Sequence, residues 1–414
     1  MQRWFQAVQT EQYLTDMSIK HLTDIKTKLN TLSVFRQLLQ DGIICAFRAF
    51  LSAETQEEKI NTYSEFVSLL YSENGGCFTK HIKYICLNSE NVYVKLIGKN
   101  REVPGYIEQS VQTELELLQQ LCDISCEQLI ESIGFDGTLP RFEDHKTDLR
   151  AHFYHRAENI GKYGYGMYAK NPMFYIDENN RILPVKNPDT IRLSSFKDYE
   201  LQRNRVLENT KALLNKKPAS NILLTGDAGT GKSSTVKAVA NELFSEGLRL
   251  IEVRKDQLSL IPKILDELSD NPLKFVLFID DLSFLKDDDN FNALKAVLEG
   301  SVSAKSENVV IYATSNRRHI IKETFSDRQG DEVHLNDTMQ ELVSLSERFG
   351  MHISFSKPNK ETYLNIVKYI ASENSLSISD DELELKAERF ALQRGGRSAR
   401  IAKQFVDILL SEQH

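Results

Sequence analysis

Residues Gly226-Asp-Ala-Gly-Thr-Gly-Lys-Ser233 lie between an apolar run, Asn221-Ile-Leu-Leu-Thr225, and a segment of helical character that Ser234 opens and that runs to about Phe244. This arrangement restricts the fold severely. A strand must deliver such a loop and a helix must leave it, so that backbone N–H groups and the positive end of the helix dipole converge on an anion. Gly226, Gly229 and Gly231 let the backbone close around phosphate oxygens, with Asp227, Ala228 and Thr230 completing the loop. Lys232 then reaches the β and γ phosphates, and the Ser233 hydroxyl completes a Mg2+ shell. The pattern implies binding of a nucleoside triphosphate.

At 414 residues the chain is long enough for two or three domains with real cores. No apolar run approaches the roughly 18 residues of a spanning helix, and the first residues lack the apolar stretch of an export signal, so a cytoplasmic protein is expected. The five cysteines, Cys45, Cys77, Cys86, Cys122 and Cys126, form no C-x-x-C pair. Neither a disulfide framework nor a zinc site is indicated, and buried reduced thiols are expected.

Charge is evenly acidic. Residues 1–195 carry 21 Lys and Arg against 25 Asp and Glu, and residues 196–414 carry 30 against 34. Neither half reads as a basic platform, so nucleic acid is disfavoured as a partner. The window 101–150 is the most acidic, with 4 basic and 11 acidic side chains.

Apolar positions recur at three and four residues from Thr10 to about Ile130, as in Leu29, Leu32, Phe35, Leu38 and Leu39, which predicts a mostly helical domain over 1–152. A break at Ser72-Glu-Asn-Gly-Gly76 predicts a turn, and the alternation in Val92-Tyr-Val-Lys-Leu-Ile97 suggests a hairpin. Residues 153–194, with glycines among Tyr154, Tyr163, Tyr165, Tyr168 and Tyr175, read as an irregular aromatic connector. Its rings could stack on bases or adenine, but packing against neighbouring helices is the favoured reading. From 195 to 357, apolar runs at 221–224, 249–253, 274–279, 308–313 and 351–355 predict a five-stranded parallel sheet between helices, carrying the nucleotide at its C-terminal strand ends. Three helical stretches follow from 358 to 414.

Two further strand ends carry chemistry. Phe275-Val-Leu-Phe-Ile-Asp280-Asp281 is an apolar strand ending in two carboxylates, 48 residues after Lys232. Asp280 suits the Mg2+ shell, and Asp281 suits orienting or deprotonating the attacking water. Asn308-Val-Val-Ile-Tyr-Ala-Thr-Ser-Asn316 ends in polar groups that can reach the γ-phosphate or that water: Asn316 first, then Thr314 or Ser315.

In this order the motifs resemble the AAA+ ATPase superfamily over residues 195–414. The resemblance implies an α/β phosphate-loop core with a C-terminal helical lid, bound ATP and Mg2+, and homo-oligomers assembled through the core. In Ser346-Glu-Arg348-Phe-Gly350 it implies an arginine finger, Arg348, acting on a neighbouring subunit's γ-phosphate. In Gly395-Gly-Arg397-Ser-Ala-Arg400-Ile-Ala402 it implies a lid arginine reaching back to the subunit's own nucleotide, Arg400 fitting better than Arg397. More narrowly, Leu248–Val253, Phe278–Phe284, Ile311–His319 and Gly395–Arg400 resemble a bacterial AAA+ family known as domain of unknown function 815.

Two departures from the wider superfamily shape the expected function. Most AAA+ motors place glutamate where this chain has Asp281, and drawing a carboxylate back by on the order of 1 Å can cost about a hundredfold in rate. Slow hydrolysis is therefore expected. Arg254-Lys-Asp-Gln-Leu258 lacks the aromatic pore loop of protein-threading unfoldases, which disfavours polypeptide translocation. The expectation is an ATPase that assembles or remodels a protein partner through its N-terminal half. The alternatives are a nucleotide-gated binding module with little turnover, or a DNA-acting ATPase using Arg254, Lys255, Arg317 and Arg318.

Overall fold

The computed structural model describes residues 22–282, 289–299, 307–316 and 347–412. The chain divides into two compact units, Met1–Lys170 and Asn171–His414.

The first unit is helical. Its elements include α1 (Gly42–Phe50), α2 (Gln56–Ser72), α3 (Phe78–Leu87), α4 (Val92–Gly98), α5 (Gly105–Cys122), α6 (Cys126–Ile133), α7 (Leu149–Glu158), α8 (Ile160–Tyr163) and α9 (Met167–Lys170). Local chemistry marks their starts. Thr55 and Glu58 form a reciprocal capping box at α2, and Ser125 with Gln128 does the same at α6. The break after α2 is a short turn in which Gly75 takes φ 65°. Phe47, Phe66, Phe78, Leu115 and Phe153 share one core. Buried Glu114 on α5 accepts hydrogen bonds from the backbone N–H groups of Ser33, Val34 and Phe35 and from the Ser33 hydroxyl, which satisfies a chain turn that leaves the helical ladder. Cys77, Cys86, Cys122 and Cys126 are buried and unbridged; Cys45 is exposed.

Residues 92–97 form α4, not the hairpin suggested by their alternation. Asn91 caps the helix by accepting from Val94 N–H at 3.1 Å, and Tyr93 and Val94 are buried in the helical core. Six residues of alternation are too few to outweigh a cap and tertiary packing.

The second unit is a seven-stranded sheet, among the described residues, with helices and a C-terminal helical layer. Its elements are β1 (Met173–Ile176), β2 (Ile182–Pro184), α10 (Glu200–Leu214), β3 (Ile222–Gly226), α11 (Lys232–Glu242), β4 (Leu248–Glu252), α12 (Ile261–Leu268), β5 (Lys274–Ile279), α13 (Asp289–Glu299), β6 (Val309–Ser315), β7 (Met351–Phe355), α14 (Lys360–Glu373), α15 (Asp380–Gln393) and α16 (Ala399–Glu412). Strand order is β2-β1-β4-β5-β6-β3-β7. The expected five strands form the parallel core. The segment read as an irregular connector departs from that reading: it holds α8 and α9, most of α7, and strands β1 and β2. Strand β1 pairs parallel to β4, with Phe174 opposite Ile251, and β2 closes antiparallel onto β1. The boundary expected at 195 thus falls inside this unit.

Strands β3, β5 and β6 are buried along almost their whole length, as strands covered on both faces must be. Tyr312 on β6 is anchored by Thr210 and Asn209 of α10 at 2.8 and 3.0 Å. Helices α14, α15 and α16 close around Tyr363, Val367, Ala387 and Phe405. This is the α/β phosphate-loop core with helical lid that the AAA+ resemblance implies.

Candidate nucleotide site

The loop after β3 turns on three glycines with positive φ: Gly226 at 138°, Gly229 at 78° and Gly231 at 93°. Two of them also stand where a side chain has no room. A Cβ at Gly226 would overlap the Phe355 carbonyl, and one at Gly229 would come within 2.9 Å of Arg400 Cβ. Within the loop the Thr230 hydroxyl donates to the Asp227 carbonyl at 2.9 Å. Helix α11 begins at Lys232, two residues before the expected opening at Ser234.

Lys232 is buried, and its ammonium donates to the carbonyls of Gly226 and Asp227, each at 2.8 Å, and to Asn316 Oδ1 at 3.0 Å. Burial lowers its pKa below the ordinary lysine value; Asp227, Asp280 and Asp281 oppose the shift and Arg400 adds to it. The ammonium is thus held inside the loop by acceptors that a phosphate group can replace.

Three strand ends meet beside it. The Ser233 hydroxyl donates to Asp280 Oδ1 at 2.6 Å, and the Thr314 hydroxyl donates to the same oxygen at 2.5 Å. Thr314 Oγ1 in turn accepts from Asp281 N–H at 3.0 Å. Asp281 takes φ 53°, a left-handed conformation that costs a non-glycine residue energy and persists only where its surroundings hold it. Here Thr314 holds it on both sides, since the next residue, Leu282, donates its N–H to the Thr314 carbonyl at 2.7 Å. The turn brings Asp281 Oδ1 to Asn316 Nδ2 at 2.7 Å. Asn316 therefore bridges Lys232 and Asp281. Thr314, second to Asn316 in the sequence reading, is the residue that organises both carboxylates.

The lid reaches the same place. Arg400 N–H donates to the Gly229 carbonyl at 3.2 Å, and the Arg400 side chain lines the cleft. Arg397 points its charge elsewhere, donating to both Glu388 carboxylate oxygens at 2.9 and 2.7 Å. Arg348 is not among the cleft-lining residues; it pairs with Glu299 at the end of α13 at 2.5 Å. Arg254 pairs with Asp256 at 3.1 Å, and Arg317 and Arg318 lie outside the described residues.

The cleft encloses about 880 Å³. Ala228, Gly229, Ser233, Ser234, Asp280 and Asn316 form its polar floor. Its other wall carries Ile191 and Phe196 from the segment before α10, with Ile366, Tyr369 and Ile370 from α14 and Lys403 from α16. Sequence reasoning did not place these wall residues at the site. No motif marks them, and only the three-residue spacing of Arg400 and Lys403 on a helix hints that both face one way. The volume and the apolar wall above a polar floor suit a nucleotide.

The donor set also fits Mg2+. Ser233 Oγ, Asp280 Oδ1 and Thr314 Oγ1 are hard oxygens brought together, and Mg2+ asks a protein for one or two such ligands beside phosphates and water. Among the described residues no group of three or more His, Cys, Asp or Glu is placed to hold a metal without such help.

No curated protein matches the chain. Among solved structures, the Holliday junction branch migration motor RuvB of Thermotoga maritima is 15% identical, with 52% of this chain and 71% of its own covered and a TM-score of 0.33. Two point mutants of that protein are 18% and 17% identical, covering 54% and 52% of this chain and 67% and 64% of their own, each with a TM-score of 0.37. A family model matches residues 169–413, and by that match the chain belongs to the family described as protein of unknown function (DUF815).

Proposed function

We propose that this chain binds and hydrolyses ATP with Mg2+, and that nucleotide-dependent assembly of several copies acts on a partner of the N-terminal unit. The observation that carries the reading is the bridge from Lys232 through Asn316 to Asp281, set against the Ser233–Asp280 contact at the mouth of a phosphate loop.

The loop N–H groups and the start of α11 would take the β and γ phosphates, and Lys232 would exchange its carbonyl acceptors for phosphate oxygens. Ser233 and Asp280 would hold Mg2+, which supplies neutralisation of charge on the β and γ oxygens. Asp281 would orient the attacking water and accept its proton, with Asn316 fixing the carboxylate or the γ-phosphate as Lys232 lets go. Arg400 would bring positive charge from the lid of the same chain. Arg348 lies outside the cleft of its own chain and would serve a neighbour's, making the site a shared one. Ile191, Phe196 and Tyr369 would cover the base.

A second reading is a nucleotide-gated module that seldom turns over. It is favoured by the short carboxylate of Asp281, already held by Asn316 at 2.7 Å. Calorimetric ATP titration and phosphate release, run on wild type and Lys232→Ala, test the proposal. Two charge-assisted hydrogen bonds of about 1.5–3 kcal/mol each predict a loss of affinity of more than about 100-fold in the variant. Equal affinity in the two proteins would remove the nucleotide site. Binding without phosphate release in wild type would leave the second reading standing alone.

A further inference from the structure

The acidic average of the first unit conceals a strip of opposite sign. Residues 149–170 carry Arg150, Arg156, Lys162 and Lys170 against a lone carboxylate, Glu158, and α3, on which α7 packs, adds Lys83 and a Lys80 that is paired with Glu143 at 2.7 Å. Aromatic rings alternate with these cations. The Arg156 guanidinium lies over the Tyr163 ring at 5.0 Å, and His155 meets that ring edge-on at 6.1 Å. Arg156 Nη2 donates to Asn88 Oδ1 at 2.8 Å, and Asn88 Nδ2 donates to the Tyr84 carbonyl at 2.8 Å. Lys170 Nζ then lies over the Tyr84 ring at 4.8 Å. His155, Tyr163, Arg156, Asn88, Tyr84 and Lys170 are therefore one connected cluster, with Asn88 buried beneath the others. Asn88 ties it together, its carbonyl also accepting from Gly166 N–H at 3.1 Å.

Tyr84 is 41% exposed, and His155, Lys162 and Lys170 are exposed as well, so cations and a ring face are within reach of a ligand. Arg156 is half-buried, with its Nε enclosed and without a hydrogen-bond partner. Glu90, which lies against Gly166, is engaged by Lys95 at 2.9 Å.

We propose that this strip binds single-stranded nucleic acid, with phosphodiesters on Lys162, Lys170 and Arg156 and bases stacked on Tyr84 and Tyr163. An acidic peptide would use the cations but has no use for the rings, whose faces are themselves negative. A rigid duplex keeps its bases stacked inside and out of reach of the rings, whereas a flexible strand can follow a narrow path and stack as it goes. The proposal is independent of the nucleotide site and concerns residues 78–170 alone.

The test uses the full chain and fluorescence anisotropy with labelled 20-nucleotide oligo-dT and oligo-rU. Three phosphate contacts on a single strand predict a fall in affinity of about 20-fold between 50 and 200 mM salt, from a slope of about −0.7 per contact. The exposed pair Lys162→Glu/Lys170→Glu should lose at least about 10-fold with an unchanged melting curve. Tyr84→Leu should lose about 5-fold or more while keeping the salt slope, a result that only a stacking ring produces. Binding of either oligonucleotide with these variant effects supports the proposal, and the tighter of the two identifies the sugar preferred. Absence of binding at 50 mM salt overturns it. So does unchanged affinity in both variants, or displacement by polyglutamate as effective as by unlabelled oligonucleotide.

Discussion

The Ser233 hydroxyl donates to Asp280 Oδ1 at 2.6 Å, joining the first turn of α11 to the end of β5 across the intervening strand β6. Two oxygens from residues 47 apart thus occupy hydrogen-bond distance where a cation can insert between them. Wild-type affinity for ATP should therefore fall when Mg2+ is removed with EDTA. In Asp280→Ala the affinity should be weaker and nearly indifferent to EDTA. Titrations with and without the chelator decide the matter, and a wild-type affinity that ignores Mg2+ would rule out the metal role.

Gly229 and Gly231 separate backbone strain from contact with the lid. Both have positive φ, but a Cβ at 231 meets nothing within 4 Å, while one at 229 comes within 2.9 Å of Arg400 Cβ. Gly231→Ala should cost about 1–2 kcal/mol from strain alone. Gly229→Ala should cost about 1–3 kcal/mol more, because overpacking is added. Denaturant midpoints measure both, and equal losses would show that the loop and lid do not press on each other at this point.

Arg348 and Glu299 form an ion pair outside the cleft. If Arg348 serves a neighbouring copy, Arg348→Ala should bind ATP normally and lose turnover, whereas Arg400→Ala should alter binding too. Mixing Arg348→Ala with Lys232→Ala should restore part of the activity, since an intact finger can then face an intact loop. Specific activity that stays flat with protein concentration, together with a dead mixture, would leave Arg348 as an ion-pairing surface residue.

His352 on the edge strand β7 hydrogen-bonds Thr225 at 2.9 Å, one residue before the loop. Desolvation holds its pKa below 6.5, so the unfolded chain takes up the proton first as pH falls. Its contribution to stability is accordingly neutral above about pH 7.5 and unfavourable as pH drops through 6.5. Melting temperatures of wild type and His352→Asn should diverge least at pH 5.5, where the wild-type ring is the liability, and most at pH 8. A difference that is the same at both values would exclude the linkage.

The parts of this molecule that could be read in advance are the ones whose chemistry is local. The run Gly226–Ser233 carries its own geometry in three glycines, and β5 and β6 announce themselves as apolar runs ending in polar residues. Asp280, Asp281 and Asn316 were legible for the same reason. Tertiary context wrote the rest. Strands β1 and β2, of four and three residues, are too short to show a period and exist because β4 offers them an edge. The cleft wall of Ile191, Phe196 and Tyr369 comes from two elements far apart in sequence, and none of its residues has a type that signals a role. The strip on α7 to α9 was hidden by averaging, because a net charge erases the separation of like from unlike.

The pairing of β1 with β4 has a practical corollary for anyone shortening the chain. A cut at 195, where the sequence changes character, would remove both strands and bare the hydrogen-bonding edge of β4, whose Leu248, Leu250 and Ile251 are buried. Such an edge invites a second copy to add itself as the missing strand, so the shorter protein should self-associate into aggregates unrelated to any native assembly. A cut at 171 keeps that edge covered.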